Sequence, residues 1–183
     1  SFRDHAADLQ TPMFAGWNFR INEILSAILR VQLTRLDGML DAMLTEKRTM
    51  INELEGSGPF TFNPINDVEG DCGTTLGLMF EDAPTMRAFL AGCNDAGVRA
   101  DTPIDSGRHV YTNWEPIMNK LGSHNPAFDA YQLTNAPVEY TKDMCQSTLD
   151  ILSRTAYLYS DPERSRKDLD TMIEKVKTVA GRL

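Results

Sequence analysis

The chain has 183 residues, of which 42% are hydrophobic, and this is enough to bury one substantial core. Its 26 acidic residues outnumber its 18 basic residues, so the net charge at pH 7 is −8. Because this charge repels phosphate backbones and anionic lipids, nucleic acid and membrane are poor candidates as partners. No apolar run approaches the roughly 20 residues of a membrane span, and the first residues lack a signal-peptide pattern, which favours a cytoplasmic protein.

Two consecutive helices are predicted at the start of the chain. After Asn22, apolar residues recur at spacings of three and four, which is typical of one helix face, at Ile24, Leu25, Ile28, Leu29, Leu33 and Leu36. Asn22 suits the N-cap of this helix, and Glu23 suits the positive end of its dipole. A second helix is predicted from Asp37, as its cap, to Leu54, and it is ended by Gly56 to Pro59. The two helices are expected to pack as a pair.

Strands and helices alternate in the rest of the chain, with one long interruption. Apolar and β-branched runs predict strands at residues 74–80, 98–102 and 156–159. Helices are predicted to start at Asp82, near Met144 and at Asp161-Pro162. Residues 106–140 lack periodicity and are predicted to form an ordered loop. This order favours an α/β sandwich with helices packed on a small mixed sheet.

The cysteines and histidines indicate neither disulfides nor a metal site. Cys72, Cys93 and Cys145 are odd in number, far apart and in no C-x-x-C pair, so reduced, partly buried thiols are expected. The histidines at positions 5, 109 and 124 are too widely spread for a recognisable metal motif.

The most informative residues come just before the first helix, in the run Gly16-Trp17-Asn18-Phe19-Arg20-Ile21-Asn22-Glu23. This run resembles the G-x-N-[YF]-R-[MI]-x-E signature of the DegT/StrS family of pyridoxal-phosphate-dependent sugar aminotransferases. Further resemblances follow the family order, at Phe2 to His5 (its L-R-x-H stretch), Arg35 to Asp37 (its R-L-D), Phe89-Leu90, Ala96 to Val98 and Met144-Cys145. One departure is Gln146, which stands where the family usually has proline.

The resemblance implies that this chain is the C-terminal portion of a fold-type I enzyme that works as a homodimer. Residues 1–20 would be the tail end of the large-domain region with the interface motif, and residues 21–183 the small C-terminal domain with its leading helices. The full enzyme would use pyridoxal 5'-phosphate to transfer an amino group from glutamate or glutamine to a keto-sugar or keto-cyclitol, with a nucleotide-sugar or cyclitol substrate. The first helix would expose apolar surface in a monomer, so the chain is expected to dimerise or aggregate.

The resemblance also places the cofactor lysine and the large cofactor-binding domain before Ser1. The chain's own lysines lie among polar neighbours, where an amine stays protonated, so none is expected to form a Schiff base. The chain alone is therefore expected to be inactive.

Two residues of the motif are implied as cofactor ligands. In the family, the residue that matches Asn18 reaches the phosphate of the partner subunit's cofactor, and a neutral amide is a suitable donor for it. Without the resemblance, a turn or capping role for Asn18 is the simpler interpretation. The planar fork of Arg20 suits a phosphate or carboxylate, but an ion pair with Glu23 is an equal alternative.

The run Gly107 to Trp114 lies where the family's small domain offers a loop to the substrate. Within it, His109 and Tyr111 are candidate substrate-binding residues, since such side chains stack on sugar rings and hydrogen-bond to hydroxyls. The alternative is an ordinary loop that Tyr111 and Trp114 anchor in the small domain. A second class of function also stays open, in which the chain is a non-catalytic α/β binding or oligomerisation module.

Overall fold

The computed structural model of the chain describes residues 21–107, 109–135 and 138–183. They fall into two compact units, a larger one formed by residues 21–106 and 147–183 and a smaller one formed by residues 107–146. The predicted boundary between residues 20 and 21 lies at the edge of the described residues and stays a prediction.

Seven α-helices are present in the described part of the chain, numbered here in chain order. They are α1 (Glu23–Leu33), α2 (Leu36–Leu54), α3 (Ala83–Asp95), α4 (Glu115–Met118), α5 (Ala130–Leu133), α6 (Gln146–Ser153) and α7 (Arg166–Ala180). None of these helices combines the length and the apolar character that crossing a membrane requires.

A four-stranded sheet forms the centre of the larger unit. Its strands are β1 (Phe60–Phe62), β2 (Thr75–Phe80), β3 (Ala100–Asp101) and β4 (Thr155–Tyr159), in the spatial order β1-β2-β4-β3. Every pairing between neighbours is antiparallel. The α/β fold with helices on a small sheet is thus confirmed, whereas the predicted mixed sheet is wrong. The crossover through α3 does make β3 run in the direction of β2, but β4 lies between them and pairs with both in the opposite sense.

One face of the sheet carries its apolar side chains into the core. Leu76 and Leu78 alternate along β2, and their partners on β4 are Leu158 and Ala156. Helices α2, α3 and α7 supply the other side of the same core, which includes Met50, Leu54, Met86, Phe89, Cys93, Leu169, Ile173 and Val176. Apolar side chains alternate with other side chains along a strand and form one stripe on an amphipathic helix. These elements can therefore bury their apolar faces only by packing them against one another.

Helix α3 follows its sequence prediction closely. The carboxylate of Asp82 accepts a hydrogen bond from the Thr85 N–H at 2.7 Å, and Pro84 occupies the first turn. Four of its residues are buried, at the spacing of three and four that is typical of one helix face, namely Met86, Phe89, Leu90 and Cys93. After the helix, Gly97 has a φ of +71°, a conformation that favours glycine.

Other boundaries differ from the predictions. The N-cap of α2 is Arg35 rather than Asp37, which lies in the first turn instead. Helix α7 starts at Arg166, because the hydroxyl of Ser165 accepts from the Asp168 N–H at 3.2 Å and caps it there. The residues after Asp161-Pro162 make a turn before that cap.

Two strands were also mispredicted. Strand β1 was missed because Phe60–Phe62 is short and lies among Gly, Pro and Asn, where no alternation is long enough to detect. The strand predicted at residues 98–102 reduces to Ala100–Asp101, an edge strand that pairs only with β4 among the described strands.

Helix α1 has no buried residue, although its predicted N-cap is correct. The Asn22 side chain accepts from the Leu25 N–H at 2.8 Å, which starts the helix where the sequence predicts. Its apolar stripe is nevertheless exposed, and Ile24, for example, retains 75% of its accessible surface. The expectation that α1 packs against α2 as a pair is wrong, whereas the expectation of an exposed stripe is confirmed.

The smaller unit contains short helical turns, where an ordered loop was predicted for residues 106–140. Helices α4 and α5 alternate there with 3-10 turns at Tyr111–Asn113 and Pro126–Phe128. Each turn is too short to produce the period of three to four residues on which the sequence prediction relied.

Candidate functional site

The residues implied as cofactor ligands, Asn18 and Arg20, lie outside the described residues. The signature that contains them ends on described positions, where Asn22 caps α1 and Glu23 begins it. The predicted site is therefore followed directly in the chain by a capped helix whose apolar side chains are exposed to solvent. Leu25, Ile28 and Leu29 are each 50% to 51% exposed, and such a contiguous apolar surface is typical of an interaction site.

Of the predicted substrate-binding residues, Tyr111 is held by the backbone of its own unit. Its hydroxyl donates to the Lys142 carbonyl oxygen at 2.7 Å and accepts from the Cys145 N–H at 3.2 Å. These two bonds tie residue 111 to the end of the smaller unit, some thirty residues later in the chain, as the separation of 31 and 34 positions indicates. This favours the anchoring interpretation for Tyr111.

His109 and Trp114 are both exposed on the smaller unit. Trp114 retains 43% of its accessible surface, so this ring is only partly buried in the loop that it was predicted to anchor. The exposed His109 imidazole stays a candidate for contact with a ligand. The structure thus shows two backbone groups bonded to the Tyr111 hydroxyl and an exposed His109 side chain, and both roles in substrate binding stay predictions.

A polar cluster around Asp129 was missed by sequence reasoning. Asp129 is only 6% exposed, and its carboxylate accepts from the Tyr131 N–H at 3.0 Å and from the Gln132 amide at 2.7 Å. A Cβ added at Gly122 would come within 1.8 Å of this carboxylate, so any larger residue there would displace the Asp129 side chain. The signal that could have identified it is an Asp placed directly before the helical tetrapeptide of α5, as an N-cap.

Two tyrosines contact each other beside this carboxylate. The rings of Tyr131 and Tyr140 meet edge to face, with centroids 6.4 Å apart. Burial raises the pKa of the Tyr131 phenol above its ordinary value, and the neighbouring Tyr140 and Asp129 raise it further. The phenol therefore stays protonated at neutral pH and can donate a hydrogen bond.

Charged side chains are buried on α2, which the sequence had not indicated. Glu46 is 6% exposed, and its carboxylate accepts from the Arg164 guanidinium and from the Asp161 N–H at 2.7 Å. Arg164 also donates to the Tyr159 carbonyl oxygen at 3.2 Å. These bonds fasten the turn between β4 and α7 to α2.

Lys47, the next residue along α2, is 5% exposed and donates to the Asp71 carboxylate at 2.5 Å. Burial by itself would raise the pKa of Asp71, but hydrogen bonds from Lys47 and from the Gly73 N–H lower it below its ordinary value. Gly73 has a φ of +68°, and a Cβ there would come within 2.4 Å of the Leu44 nitrogen. The loop before β2 therefore lies directly against α2 and holds the lysine in an ion pair.

The lysines bear on whether the described residues fit pyridoxal phosphate. Lys47 is the buried lysine of the chain, and its ammonium group is committed to Asp71. Lys120 pairs with Glu139, and Lys177 pairs with Glu53 and Glu174. The other three lysines are exposed at the surface. No lysine thus combines burial with an amine that is free to react, so the described residues alone do not fit this cofactor.

The cysteines are free thiols, as expected, but only one is buried. Cys93 lies in the core, and burial raises the pKa of its thiol to about 12, which makes it unreactive. Cys72 and Cys145 are exposed, so the expectation of partial burial is wrong for these two. No group of three or more His, Cys, Asp and Glu side chains in the described part of the chain is arranged to hold a metal ion.

The sequence matches no protein-family model and no curated protein.

Proposed function

We propose that this chain is the C-terminal portion of a pyridoxal-phosphate-dependent aminotransferase of the DegT/StrS type. In this proposal the complete enzyme is a homodimer that transfers an amino group from glutamate or glutamine to a keto-sugar or keto-cyclitol. Residues 21–183 act as the small domain of the fold-type I enzyme, with its leading helices. The large domain, with the Schiff-base lysine, belongs to another part of the protein.

The observation that carries the proposal is that the signature motif is followed directly by α1, a helix whose apolar side chains are exposed. The signature from Gly16 to Glu23 ends where Asn22 caps a helix with no buried residue. Exposed Leu and Ile side chains are unfavourable in water by about 25 cal/mol per Å² of apolar surface. A large domain or a second subunit that covered α1 would remove this surface from water and bring Asn18 and Arg20 next to the covering part.

The cofactor would be held mainly by residues that this chain does not contribute. Pyridoxal phosphate supplies an electron sink for amino-group transfer when it is bound. The chain's own contribution is to binding, through the Asn18 amide and the Arg20 guanidinium, which are donors suited to a phosphate group. On the substrate side, His109 is the better candidate for direct contact. Tyr111, with its hydroxyl already bonded to two backbone groups, acts by positioning the loop.

The test compares Asn18→Ala with Asn22→Ala in the full-length enzyme. Asn18→Ala removes a hydrogen bond to a charged group, worth about 1.5–3 kcal/mol, so cofactor affinity should fall roughly tenfold or more. Asn22→Ala removes only the cap of α1 and should leave cofactor affinity unchanged. Titration of the apoenzyme with pyridoxal phosphate, followed by its absorbance, measures both. Normal affinity in the Asn18→Ala enzyme would refute the assigned role.

A complementary test uses two defective enzymes together. Because Asn18 would lie in the partner subunit's site, mixing the Asn18→Ala enzyme with a variant that lacks the catalytic lysine should restore one intact site per heterodimer. Recovery of activity after subunit exchange supports the proposal. No recovery, in the face of proven exchange, would contradict the contact across the interface.

The second candidate is a non-catalytic α/β binding or oligomerisation module. It is favoured by the same exposed stripe on α1, together with the absence of a reactive lysine among the described residues. The intact mass of the protein from its native source distinguishes the two. A mass near twice the 20.5 kDa of this chain supports the aminotransferase, whereas a mass equal to it supports the module.

A further inference from the structure

An open groove runs between α3 and α7 in the larger unit, with a volume of about 1050 Å³. It is distinct from the apolar stripe of α1 and from the sheet. Its length along α7, from Lys167 to Ala180, corresponds to about 20 Å at 1.5 Å per residue. A groove of this length between two helices is long enough for between three and four turns of a third helix.

On the α3 side, the groove is lined by residues with small side chains, which leave space above the helix backbone. Ala88, Gly92 and Ala96 follow one another at intervals of four, so they share one row of the helix surface. Gly92 also lets the two helices approach closely, since a Cβ there would come within 2.7 Å of Val179. A row of small side chains next to a helix pair admits the backbone of a further helix, because ridges of one helix pack into grooves of another.

Positive charge lines the other side. Lys167 and Lys175 line the groove from α7, and Arg182 lines it just after that helix ends. None of the three forms an ion pair with another described residue. The two acidic residues that line the groove from α7 differ, because Asp170 pairs with Arg166 and Glu174 pairs with Lys177.

The unpaired charge in the groove is therefore opposite in sign to that of the chain. One carboxylate in the groove, that of Asp95 on α3, forms no ion pair with a described residue. The three unpaired cations outnumber it in a chain whose net charge is −8.

We propose that this groove binds an amphipathic helix of a partner protein that carries acidic side chains beside an apolar stripe. The apolar stripe would lie over the row of small residues, and the carboxylates would pair with the three cations. Lys167 and Lys175 are about 12 Å apart along the axis of α7, and Arg182 follows the end of this helix. A partner helix with one carboxylate on every second turn has a matching spacing of about 11 Å.

Other ligands match the groove less well. Backbone positions about 12 Å apart spread the positive charge along the helix, which suits an extended ligand better than a single phosphate group. Nucleic acid and anionic membranes present long, dense runs of negative charge, which three separate cations in a chain with a net charge of −8 do not offset. The proposal does not depend on the aminotransferase activity, because the groove lies wholly on α3, α7 and the residues that follow them.

The test uses the full-chain protein and a synthetic helical peptide of about five turns, or roughly 18 residues. The probe carries Leu and Ala on one face and Glu on every second turn beside them, and its control has Gln at the Glu positions. Fluorescence anisotropy at low salt should show binding of the Glu peptide at least about tenfold tighter than binding of the Gln peptide, a ratio that corresponds to about 1.4 kcal/mol. Equal binding of the two peptides, or no binding of either, would overturn the proposal.

Variants then assign the site. Lys175→Glu, at the centre of the groove, should weaken binding of the Glu peptide about tenfold. Arg30→Glu makes the same charge change at an exposed position of α1 and should have no such effect. Ala88→Trp places a large ring in the groove on the α3 side and should also weaken binding. Ala88 is exposed, so the fold has room for the larger side chain. An equal loss in the Arg30→Glu protein would show only a general charge effect and would refute the site.

Equilibrium sedimentation tests whether the groove is occupied by a second copy of this chain instead of a separate partner protein. If the chain self-associates and Lys175→Glu abolishes this association, a second copy of the chain covers the groove, and the proposal of a separate partner is wrong. A protein whose self-association is unchanged by Lys175→Glu, while its binding of the Glu peptide is weakened, supports it.

Discussion

Helices α1 and α2 follow each other directly in the chain, yet they differ in which residues they bury. Helix α1 leaves its apolar residues exposed, whereas α2 buries charged residues as well as apolar ones. Helix α1 is the more apolar of the two, and none of its residues is buried. Helix α2 is rich in charged residues, and it buries Glu46 and Lys47 as well as Met50 and Leu54. An apolar stripe shows that a helix has a face to bury, but burial itself is decided by what packs against that face.

The difference comes from the neighbours of the two helices. Helix α2 lies against α7, β2 and the loop that contains Asp71 and Gly73. These neighbours supply both an apolar surface for Leu54 and a carboxylate for Lys47. Helix α1 has no such neighbour in the larger unit, so its stripe stays in water. In a larger protein, α1 is therefore the part of this unit best suited to be covered by another domain or subunit.

The largest effect is expected from matched truncations in the two helices. Leu54→Ala in α2 removes a fully buried side chain and should lower the free energy of unfolding by about 2–5 kcal/mol. Leu25→Ala in α1 removes a side chain that is 51% exposed and should change it by no more than about 0.5 kcal/mol. Urea unfolding of this chain, followed by circular dichroism, measures both. A comparable loss at the two positions would mean that α1 is covered in solution.

A smaller effect is expected from the buried ion pair of α2. Lys47→Met keeps the aliphatic stem but leaves Asp71 without its cation. Removing one partner of a fully buried pair costs about 3–5 kcal/mol. Here about 2 kcal/mol is expected, because the Asp71 side chain is 16% exposed and stays partly hydrated. The control is Arg48→Met, the adjacent position, whose pair with Glu69 is exposed and should contribute about 0–1 kcal/mol.

The pH dependence of the same pair has a definite sign. The pKa of Asp71 is lowered in the folded chain from its ordinary value of 3.8, so its contribution to stability is fully present well above that value. This contribution is lost as the pH falls through the folded-state pKa, because the carboxyl group is then protonated in both states. The stability difference between the wild type and Lys47→Met should therefore shrink as the pH is lowered below 3.8. A difference that stays constant down to the lowest pH at which the chain is folded would show that the pair is not the cause.

The elements that sequence reasoning located correctly are those with their own local signals. Asn22 and Asp82 were identified as caps because an Asn or Asp before an apolar period satisfies the first N–H groups of a helix. The buried face of α3 followed from its spacing alone. Strand β2 was identified because its run of apolar and β-branched residues is long enough to be unambiguous.

What the sequence could not show depends on contacts between distant residues. The pairing of β4 between β2 and β3 made the sheet antiparallel, and no local pattern encodes this order. Lys47 and Asp71 are 24 positions apart, so their ion pair was not visible in either segment. The predicted cofactor ligands, Asn18 and Arg20, lie outside the described residues and stay predictions. Tyr111 was chosen for its chemistry, and its hydroxyl bonds to residues 142 and 145 are a matter of tertiary structure.

The smallest expected effect sharpens the comparison at the level of the helix caps. Asp82→Ala removes the cap of α3, which buries four residues in the core, and should lower the free energy of unfolding by about 1 kcal/mol. Asn22→Ala removes an equivalent cap from α1. It should open the first turn of that helix without changing global stability, because no buried contact depends on it.

Amide hydrogen exchange measures this local opening. Exchange at Leu25, whose N–H donates to Asn22, should become faster in the Asn22→Ala protein, whereas exchange in β2 and α7 should stay unchanged. Asn22→Ser, which restores a capping oxygen, should recover the protection at Leu25. If Asn22→Ala instead lowers global stability as much as Asp82→Ala does, α1 is part of the cooperative core and the contrast between α1 and α2 is wrong.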